Sequence, residues 1–533
     1  MPSDTNPSTS LTEGGSGAGV TDDDVVSSNT PTARQRLRAK DISIVPGSTP
    51  TSPIVISPNG DIILEYIAMS SEKSHYWQVS SEQLISGSPY FGAMLDSNKF
   101  MEGRLLAQQR RALTEGANLN TRDTLADKID SASLATLPIV KIPSSPKSEL
   151  CGIEAIQLFL KILCLDILDP EAKSAFHNDL AVLPPSLVAK LIDISEWFNS
   201  IKPVRRVLQE ANYRGGVKWK PAVSTKVFNL DMLKMKERRV REMIVISAFI
   251  GLKDILKAMT HTLIIIGSKF WQQGLERPKT EEYSNWKYLP DGLEEELYHR
   301  RQRVLNTLTD LQAHFLRSYG GLERDESDRK PNTIGPTTSY RPPELQCRNG
   351  LANGMQCDVF HLGQMLRFFA LRTKTVFLGS TLIDPDFSIE ESDPDEPLEQ
   401  NTSGKAAVSS DEPQFAINQV IAGLKQYPDY QVDHNHVGCG IRRRLLPILD
   451  GIEKFIADNR GLLGVQASLW ESLETRALSA WSGRGAPKNH TIEIRFSKIT
   501  RIVTPSGART DQFSSQEDQA RLMFTAAKYK WEA

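Results

Sequence analysis

Strand-type patterns are confined almost entirely to one early stretch of this 533-residue chain. Two short apolar runs, residues 61–67 and 76–80, are joined through the polar segment SSEKSH at 70–75, which is typical of a β-hairpin. Downstream of this stretch, apolar residues recur mostly at helical spacings. The sequence therefore predicts an α+β fold, in which a small α/β unit is followed by a mostly α-helical region.

A helix is expected directly after the hairpin, with Ser81 as its cap and Pro89 dividing it into two pieces. Residues 137–142 predict a third strand, and the continuously apolar residues 153–167 predict a helix buried on most sides. Further helices are predicted at 187–198, 202–211, 234–266 with a break near Gly251, 293–315, 359–371 and 441–456, and a late strand at 492–496.

Polar tracts divide the chain into blocks. Residues 1–52 are rich in Ser, Thr, Gly, Pro and Asp and predict a disordered arm, because they offer too little apolar surface to offset the entropy of ordering. A linker at 323–343 and an acidic tract at 383–413 are predicted disordered for the same reason. The expected folded regions are an α/β domain at 53–215 with a surface insertion at about 97–136, a helical region at 222–322, and a C-terminal helical region made of 344–382 and 414–533.

Charge and hydropathy restrict the expected location of the protein and the partners that it can bind. The net charge of −2 supplies no overall field for nucleic acid or anionic membranes. The first residues lack the basic start and apolar stretch of a secretory signal, and no apolar run approaches the ~20 residues that span a bilayer. We expect a cytoplasmic or nuclear protein that is neither secreted nor membrane-spanning. The five cysteines, an odd number, favour free thiols or a metal site over disulfides.

The order of hairpin, helix, strand and buried helix resembles a BTB/POZ domain. Two segments carry the resemblance: GDIIL at residues 60–64 and WQVSSEQLISGSPYFGAML at residues 77–95. The divergent BTB/POZ proteins of filamentous fungi are similar beyond this domain as well, in LPDGL at 289–293, CDVFHLG at 357–363 and HVGCGIRRRL at 436–445. The resemblance implies a non-enzymatic scaffold or adaptor that binds protein partners through homo- or hetero-oligomerisation.

The resemblance also implies which residues support protein binding: Asp61, Trp77, Val79, Leu84, Tyr90 and Phe91. For Asp61 the alternative is a solvent-exposed turn acid, and the apolar members are expected to pack in the core. Some relatives of this kind recruit a cullin-type ubiquitin ligase. Here Ser81 stands where the family commonly has a histidine, and the insertion follows the first helix, so both features argue against cullin recruitment.

Cys347, Cys357, His436 and Cys439 form the one set of residues with metal-ligand chemistry. Three thiolates and one imidazole suit a tetrahedral structural Zn²⁺ site, with no open position for an activated water. His434 and His361 compete for the histidine role, and the wide spacing of the cysteines leaves simple packing of small buried thiols as the alternative. We expect no cofactor, with structural zinc as the one candidate exception.

Two basic runs, at 234–241 and 442–444, support an alternative function as a nuclear, transcription-associated regulator. They lack interleaved aromatic residues or a groove-binding motif, so nucleic-acid binding is not expected. No phosphate-loop, kinase, zinc-protease or hydrolase signature is present, so the protein is not expected to be an enzyme. A hydrolase whose catalytic groups converge from distant positions is the third interpretation.

Overall fold

Four strands form the first sheet of the computed structural model. β1 (Ile54–Val55), β2 (Ile62–Ile67), β3 (Ser74–Val79) and β4 (Ile139–Ile142) lie in the order β1-β3-β2-β4. The structure describes residues 53–68, 74–119, 137–143, 151–216, 228–271, 275, 286–289, 292–323, 345–348, 353–373, 375, 416–466, 491–495, 501–503, 516–525 and 528–532.

The predicted hairpin is confirmed. β2 and β3 are antiparallel, with Ile62 opposite Val79, whereas β1 joins β3 and β4 joins β2 in parallel. Five consecutive residues of β2 are buried, as expected for a strand covered on both faces of its sheet.

Seven α-helices follow in the same part of the described chain: α1 (Ser81–Gly87), α2 (Pro89–Met94), α3 (Met101–Leu119), α4 (Ile153–Leu163), α5 (Pro170–Ala181), α6 (Pro185–Trp197) and α7 (Ile201–Glu210). The break between α1 and α2 falls where it was predicted. Ser88 is extended, its side chain accepts a hydrogen bond from the backbone N–H of Phe91, and Pro89 occupies the first turn of α2.

The inserted segment differs from its expected form. The sequence predicted only a surface insertion here, whereas its first part forms one helix of 19 residues, α3. Leu106 is buried, and the Gln109 side chain accepts a hydrogen bond of 2.8 Å from the backbone N–H of Ile139 in β4. The insertion is therefore fastened to the sheet by its first part; residues 120–136 lie outside the described residues.

The later helices are α8 (Glu237–Ile250), α9 (Lys253–Ile266), α10 (Leu293–Ser318), α11 (Gly354–Leu366), α12 (Ile417–Lys425), α13 (Arg442–Ile456) and α14 (Gln516–Thr525). The predicted break near Gly251 is confirmed, since this glycine has φ +86° and ends α8 in the left-handed region. α11 continues as a π-helical turn, Arg367–Arg372. α5, α12 and α14 were not individually predicted.

A second sheet corrects the expectation that strands nearly disappear downstream. β5 (Thr491–Arg495) lies between β6 (Arg501–Val503), its antiparallel neighbour, and β7 (Lys528–Glu532), its parallel neighbour. The Trp531 indole on β7 donates a hydrogen bond of 2.8 Å to Asp310 of α10. The fold is nonetheless α+β and mostly helical, as predicted.

The described residues, which all lie between 53 and 532, belong to one compact unit. The helices of its first part pack directly on later ones: α6 packs against α8, and the Gln209 side chain donates to the Ile250 carbonyl at 2.8 Å. The predicted disordered arm at 1–52, the linker at 323–343 apart from Glu323, and the acidic tract at 383–413 lie outside the described residues. The domain boundaries expected from the sequence stay predictions.

Candidate functional site

The Asp61 carboxylate joins the start of α1 to the inserted helix α3. The Ser81 backbone N–H donates to Asp61 Oδ1 at 2.7 Å, and the Ser81 hydroxyl donates to Oδ2 at 2.6 Å. Arg110 of α3 reaches the same Oδ2 at 2.5 Å and also donates to Ser81 Oγ at 3.1 Å. The carboxylate satisfies a helix N-terminal N–H where negative charge is favoured. Asp61 thus has a role within the fold, and its role toward a partner stays a prediction.

The capping role expected of Ser81 falls to Asp61 instead. Ser80 occupies the N-cap position but its side chain makes no capping bond, and Ser81 is the first helical residue. The acceptor comes from a residue 20 positions earlier, across the hairpin. Local sequence could not reveal this contact, because it depends on how the hairpin folds back on the helix.

The other residues implied in protein binding build the core. Trp77, Val79, Leu84 and Phe91 have no exposed side-chain surface, and Tyr90 is partly buried. Phe91 stacks on Phe198 with ring centroids 5.0 Å apart, and Tyr90 meets Phe198 edge-on at 5.1 Å. A partner could not touch the buried four without unfolding this unit, so any influence on binding passes through the helices that they support.

Apolar side chains are exposed on the outer surface of the first helices. This α1–α3 patch consists of Ile85, Phe100, Met101 and Leu105. Met101 is 71% exposed and Phe100 51% exposed, and Leu105 follows Met101 by one turn on the same face of α3. The edge strand β1 adds Ile54 and Val55, which are also exposed. Exposed apolar side chains one helical turn apart, as at Met101 and Leu105, identify this surface as a candidate for protein binding.

Three of the four predicted metal ligands meet in the structure. The Sγ atoms of Cys347, Cys357 and Cys439 all lie within 4.8 Å of one another, and all three residues are buried. The Sγ atoms of Cys347 and Cys439 are 3.9 Å apart. Burial and the neighbouring thiols raise the pKa of Cys357, because a thiolate there lacks both solvation and a positive partner. A divalent cation would supply that partner.

His436 does not join the three thiols, contrary to expectation. It lies in the turn before Cys439, and its Nδ1 pairs with the Asp433 carboxylate at 3.1 Å. The group of ligand atoms within 4.8 Å of one another contains the three sulfurs alone. The expected site of four converging ligands is therefore corrected to a site of three.

His361 is the other histidine beside the cysteines. It follows Cys357 by four residues on α11, which places both on the same face of that helix. The ring is fully buried, and neither Nδ1 nor Nε2 has a hydrogen-bond partner. Burial lowers its pKa, so the imidazole is neutral. The Cys-x-x-x-His spacing within a helix is the sequence signal that indicates this residue.

A hydrogen-bonded network positions the cysteine segments. The Asp358 carboxylate accepts from the Gln346 backbone N–H at 2.8 Å, which fixes the residue before Cys347. Arg444 donates to the Gln346 side chain at 2.9 Å and to the Tyr319 hydroxyl at 2.7 Å. Tyr319 in turn donates to the Cys439 carbonyl at 2.7 Å. The backbone on both sides of the thiols is thus held before any ligand binds.

The basic runs are partly engaged within the protein. Arg241 is buried against Glu237 and Glu294, and Arg239 donates to the Gly215 carbonyl. In the second run, Arg442 donates to the Tyr427 carbonyl and Arg444 belongs to the network beside the cysteines. The other cations of the two runs, Lys234, Lys236, Arg238 and Arg443, are exposed to solvent.

None of the helices in the described ranges is long and apolar enough to cross a membrane. Comparisons with protein-family models, curated proteins and solved structures found no match to this chain.

Proposed function

We propose that this protein is a non-enzymatic interaction scaffold that self-associates through its N-terminal, BTB/POZ-like α/β unit. The element order of hairpin, α1, α2, strand and buried α4 agrees with the resemblance in the sequence. The observation that carries the proposal is the α1–α3 patch, in which four large apolar side chains are exposed on one small unit.

The occupant that we propose for this patch is a second copy of the chain. Within the described residues β1 pairs with β3 alone, so its other edge carries free backbone groups beside the exposed Ile54 and Val55. A free edge and an apolar patch on one small unit can meet their own copies across a twofold axis, as in most homodimers. Association then covers both surfaces at once.

Sedimentation of the full-length chain tests self-association. We expect a dimer at 10 μM, because a functional homodimer requires a Kd below roughly 10⁻⁵ M. The double substitution Met101→Glu and Leu105→Glu should produce a monomer with unchanged circular dichroism. Val182→Glu is the matched control, since Val182 is an exposed apolar residue outside the patch. A wild-type chain that stays monomeric at tens of micromolar would overturn self-association.

We further propose that Cys347, Cys357 and Cys439 bind a structural Zn²⁺ ion. The support is the meeting of three buried sulfurs from three separate segments, together with the preference of this ion for thiolates. Each thiol loses its proton to solvent on binding, and the ion holds the segment of Cys347 and α11 to the turn before α13.

Metal analysis of the purified full-length protein tests the zinc. We expect one Zn²⁺ per chain in the wild type and its loss in Cys357→Ser. Cys164→Ser is the control, because Cys164 is buried apart from the three clustered thiols. Absence of stoichiometric metal from the wild-type protein would contradict the proposal, and the three cysteines would then be small packing residues.

A further inference from the structure

We propose that His361, and not His436, is the fourth ligand that closes this zinc site. The inference rests on the proposed metal and adds the ligand that three thiolates lack. Structural zinc sites are almost always four-coordinate and tetrahedral, and one imidazole beside three thiolates is an established combination. His434, the third candidate, is exposed, so the choice is between the buried histidines His361 and His436.

The first observation is the isolation of the His361 ring. The side chain has no exposed surface, and both of its nitrogens lack a hydrogen-bond partner. Buried polar atoms in native proteins are nearly always paired, because leaving one unpaired costs its full desolvation. A ring with two unpaired nitrogens next to a cluster of thiols is explained if one nitrogen binds the same ion as the sulfurs.

The second observation is where the ring lies. Cys357 and His361 share a face of α11, one turn apart. On its other side the ring packs against Gly440, the residue after Cys439: a Cβ on Gly440 would stand 3.2 Å from His361 Cε1 and 3.5 Å from Nδ1. The imidazole therefore lies between the two cysteine segments that the ion would join. The ligand atoms that lie within 4.8 Å of one another do not include the His361 nitrogens, so binding of the ion requires the ring to turn toward the sulfurs.

The surroundings of the ring agree with this role. Asp358 stands three residues earlier on the same helix and interacts electrostatically with His361, and ligating histidines commonly have a carboxylate near the second nitrogen. His436 has a carboxylate partner too, since its Nδ1 pairs with Asp433 at 3.1 Å, so the carboxylates do not separate the two histidines. The two unpaired nitrogens of His361 separate them.

Replacement of His361 by cysteine gives a test in which the variant is expected to keep its fold. X-ray absorption of the zinc-loaded full-length protein should show three sulfurs near 2.3 Å and one imidazole nitrogen near 2.0 Å, the usual Zn–S and Zn–N distances. His361→Cys should convert the site to four sulfurs and abolish the imidazole signal while one Zn²⁺ per chain remains bound. His361→Ala should weaken zinc binding more than about 10-fold, the lower limit for losing even an outer-shell partner.

His436→Ala is the matched control. It removes a histidine of similar burial from the same region and should leave the imidazole signal and the zinc affinity unchanged. Persistence of the imidazole signal in His361→Cys, or its disappearance in His436→Ala, would overturn the assignment while leaving the zinc in place. Absence of zinc from the wild type would instead remove the proposed metal itself, so the two failures are distinguishable.

Discussion

The Sγ atoms of Cys347 and Cys439 lie 3.9 Å apart although the two residues are separated by 92 positions in the sequence. The chain between them contains α11 and α12. It also contains residues 376–415, which the structure does not describe. Two thiols this close join the ends of a long loop, and closing a long loop is entropically unfavourable without a compensating contact. A metal shared by both sulfurs would supply that contact.

Removal of the metal should therefore loosen this part of the protein. With a strong chelator, we expect the free energy of unfolding to fall by about 4 kcal/mol, the stabilisation given by a ligand present at a thousand times its Kd. Hydrogen exchange should rise first in residues 345–348 and 437–441, which carry the two cysteines. Denaturation with and without chelator measures the change. A Cys347→Ser protein is the control and should not respond; an equal response in both would contradict the metal.

The cluster was partly predictable from the sequence. Cysteine is the one residue type whose presence in a metal site can be proposed from composition, and the three cysteines do converge. The histidine was not predictable in the same way, because His361, His434 and His436 are all near a cysteine in the sequence. The choice depends on which ring is buried without partners, and that follows only from the packing of α11 against Gly440.

Helices with a strong apolar face were likewise predictable, whereas α3 was not recognised as one helix. Its sequence, MEGRLLAQQRRALTEGANL, is largely polar and charged, so its apolar periodicity is weak. The helix is held by polar contacts, from Gln109 to β4 and from Arg110 to Asp61. Of the late sheet, the sequence predicted only the central strand, at 492–496; β6 and β7 were missed because short strands stabilised by pairing between distant segments carry little local signal.

The Asp61 contacts predict unequal effects of two substitutions. Asp61→Ala removes the acceptor for the first N–H of α1 and should cost about 1 kcal/mol, the usual value for losing a cap. Arg110→Ala breaks a pair in which both side chains are nearly half exposed, and should cost about 0.2–1 kcal/mol. Urea denaturation of both variants and of the double variant measures the values and their coupling. A larger cost for Arg110→Ala than for Asp61→Ala would contradict the capping role.

A buried histidine should make stability depend on pH. The ring of His261 accepts from the Leu463 backbone N–H at 3.2 Å and pairs with the Ile456 carbonyl at 2.9 Å. Burial lowers the pKa of His261 from 6.5 to about 4. The unfolded chain therefore binds a proton between pH 6.5 and pH 4 that the folded chain does not, so the stabilisation is complete above pH 6.5 and is lost as the pH falls toward 4.

The size of this loss follows from the shift, since each pKa unit corresponds to 1.36 kcal/mol and the total is about 3 kcal/mol. Denaturation at pH 7, 6, 5 and 4 measures it. His261→Gln keeps a donor and an acceptor but no titrating group, so its stability should fall less steeply over this range. His314, whose pKa burial also lowers to about 4, remains in that variant and accounts for a residual slope. Parallel slopes in the two proteins would show that His261 does not contribute.

The buried pair of Arg241 and Glu294 gives the last prediction. Arg241 is 2% exposed and contacts both carboxylate oxygens of Glu294, at 2.6 Å and 2.7 Å. Its remaining N–H groups donate to Glu237, Ser268 and the Lys287 carbonyl. This arrangement requires the planar fork of a guanidinium, because a lysine ammonium cannot bind one carboxylate through two parallel hydrogen bonds while also reaching the other acceptors.

Arg241→Lys should consequently destabilise the protein by about 3 kcal/mol or more, toward the cost of breaking a buried ion pair, although the formal charge is unchanged. Arg206→Lys is the matched control. Arg206 pairs with Asp166 at 3.1 Å with both side chains more than half exposed, so its replacement should change stability by less than about 1 kcal/mol. Chemical denaturation of the two variants compares the same exchange of side chains in a buried and an exposed setting. Equal effects would mean that charge alone, and not the guanidinium geometry, holds α8 to α10.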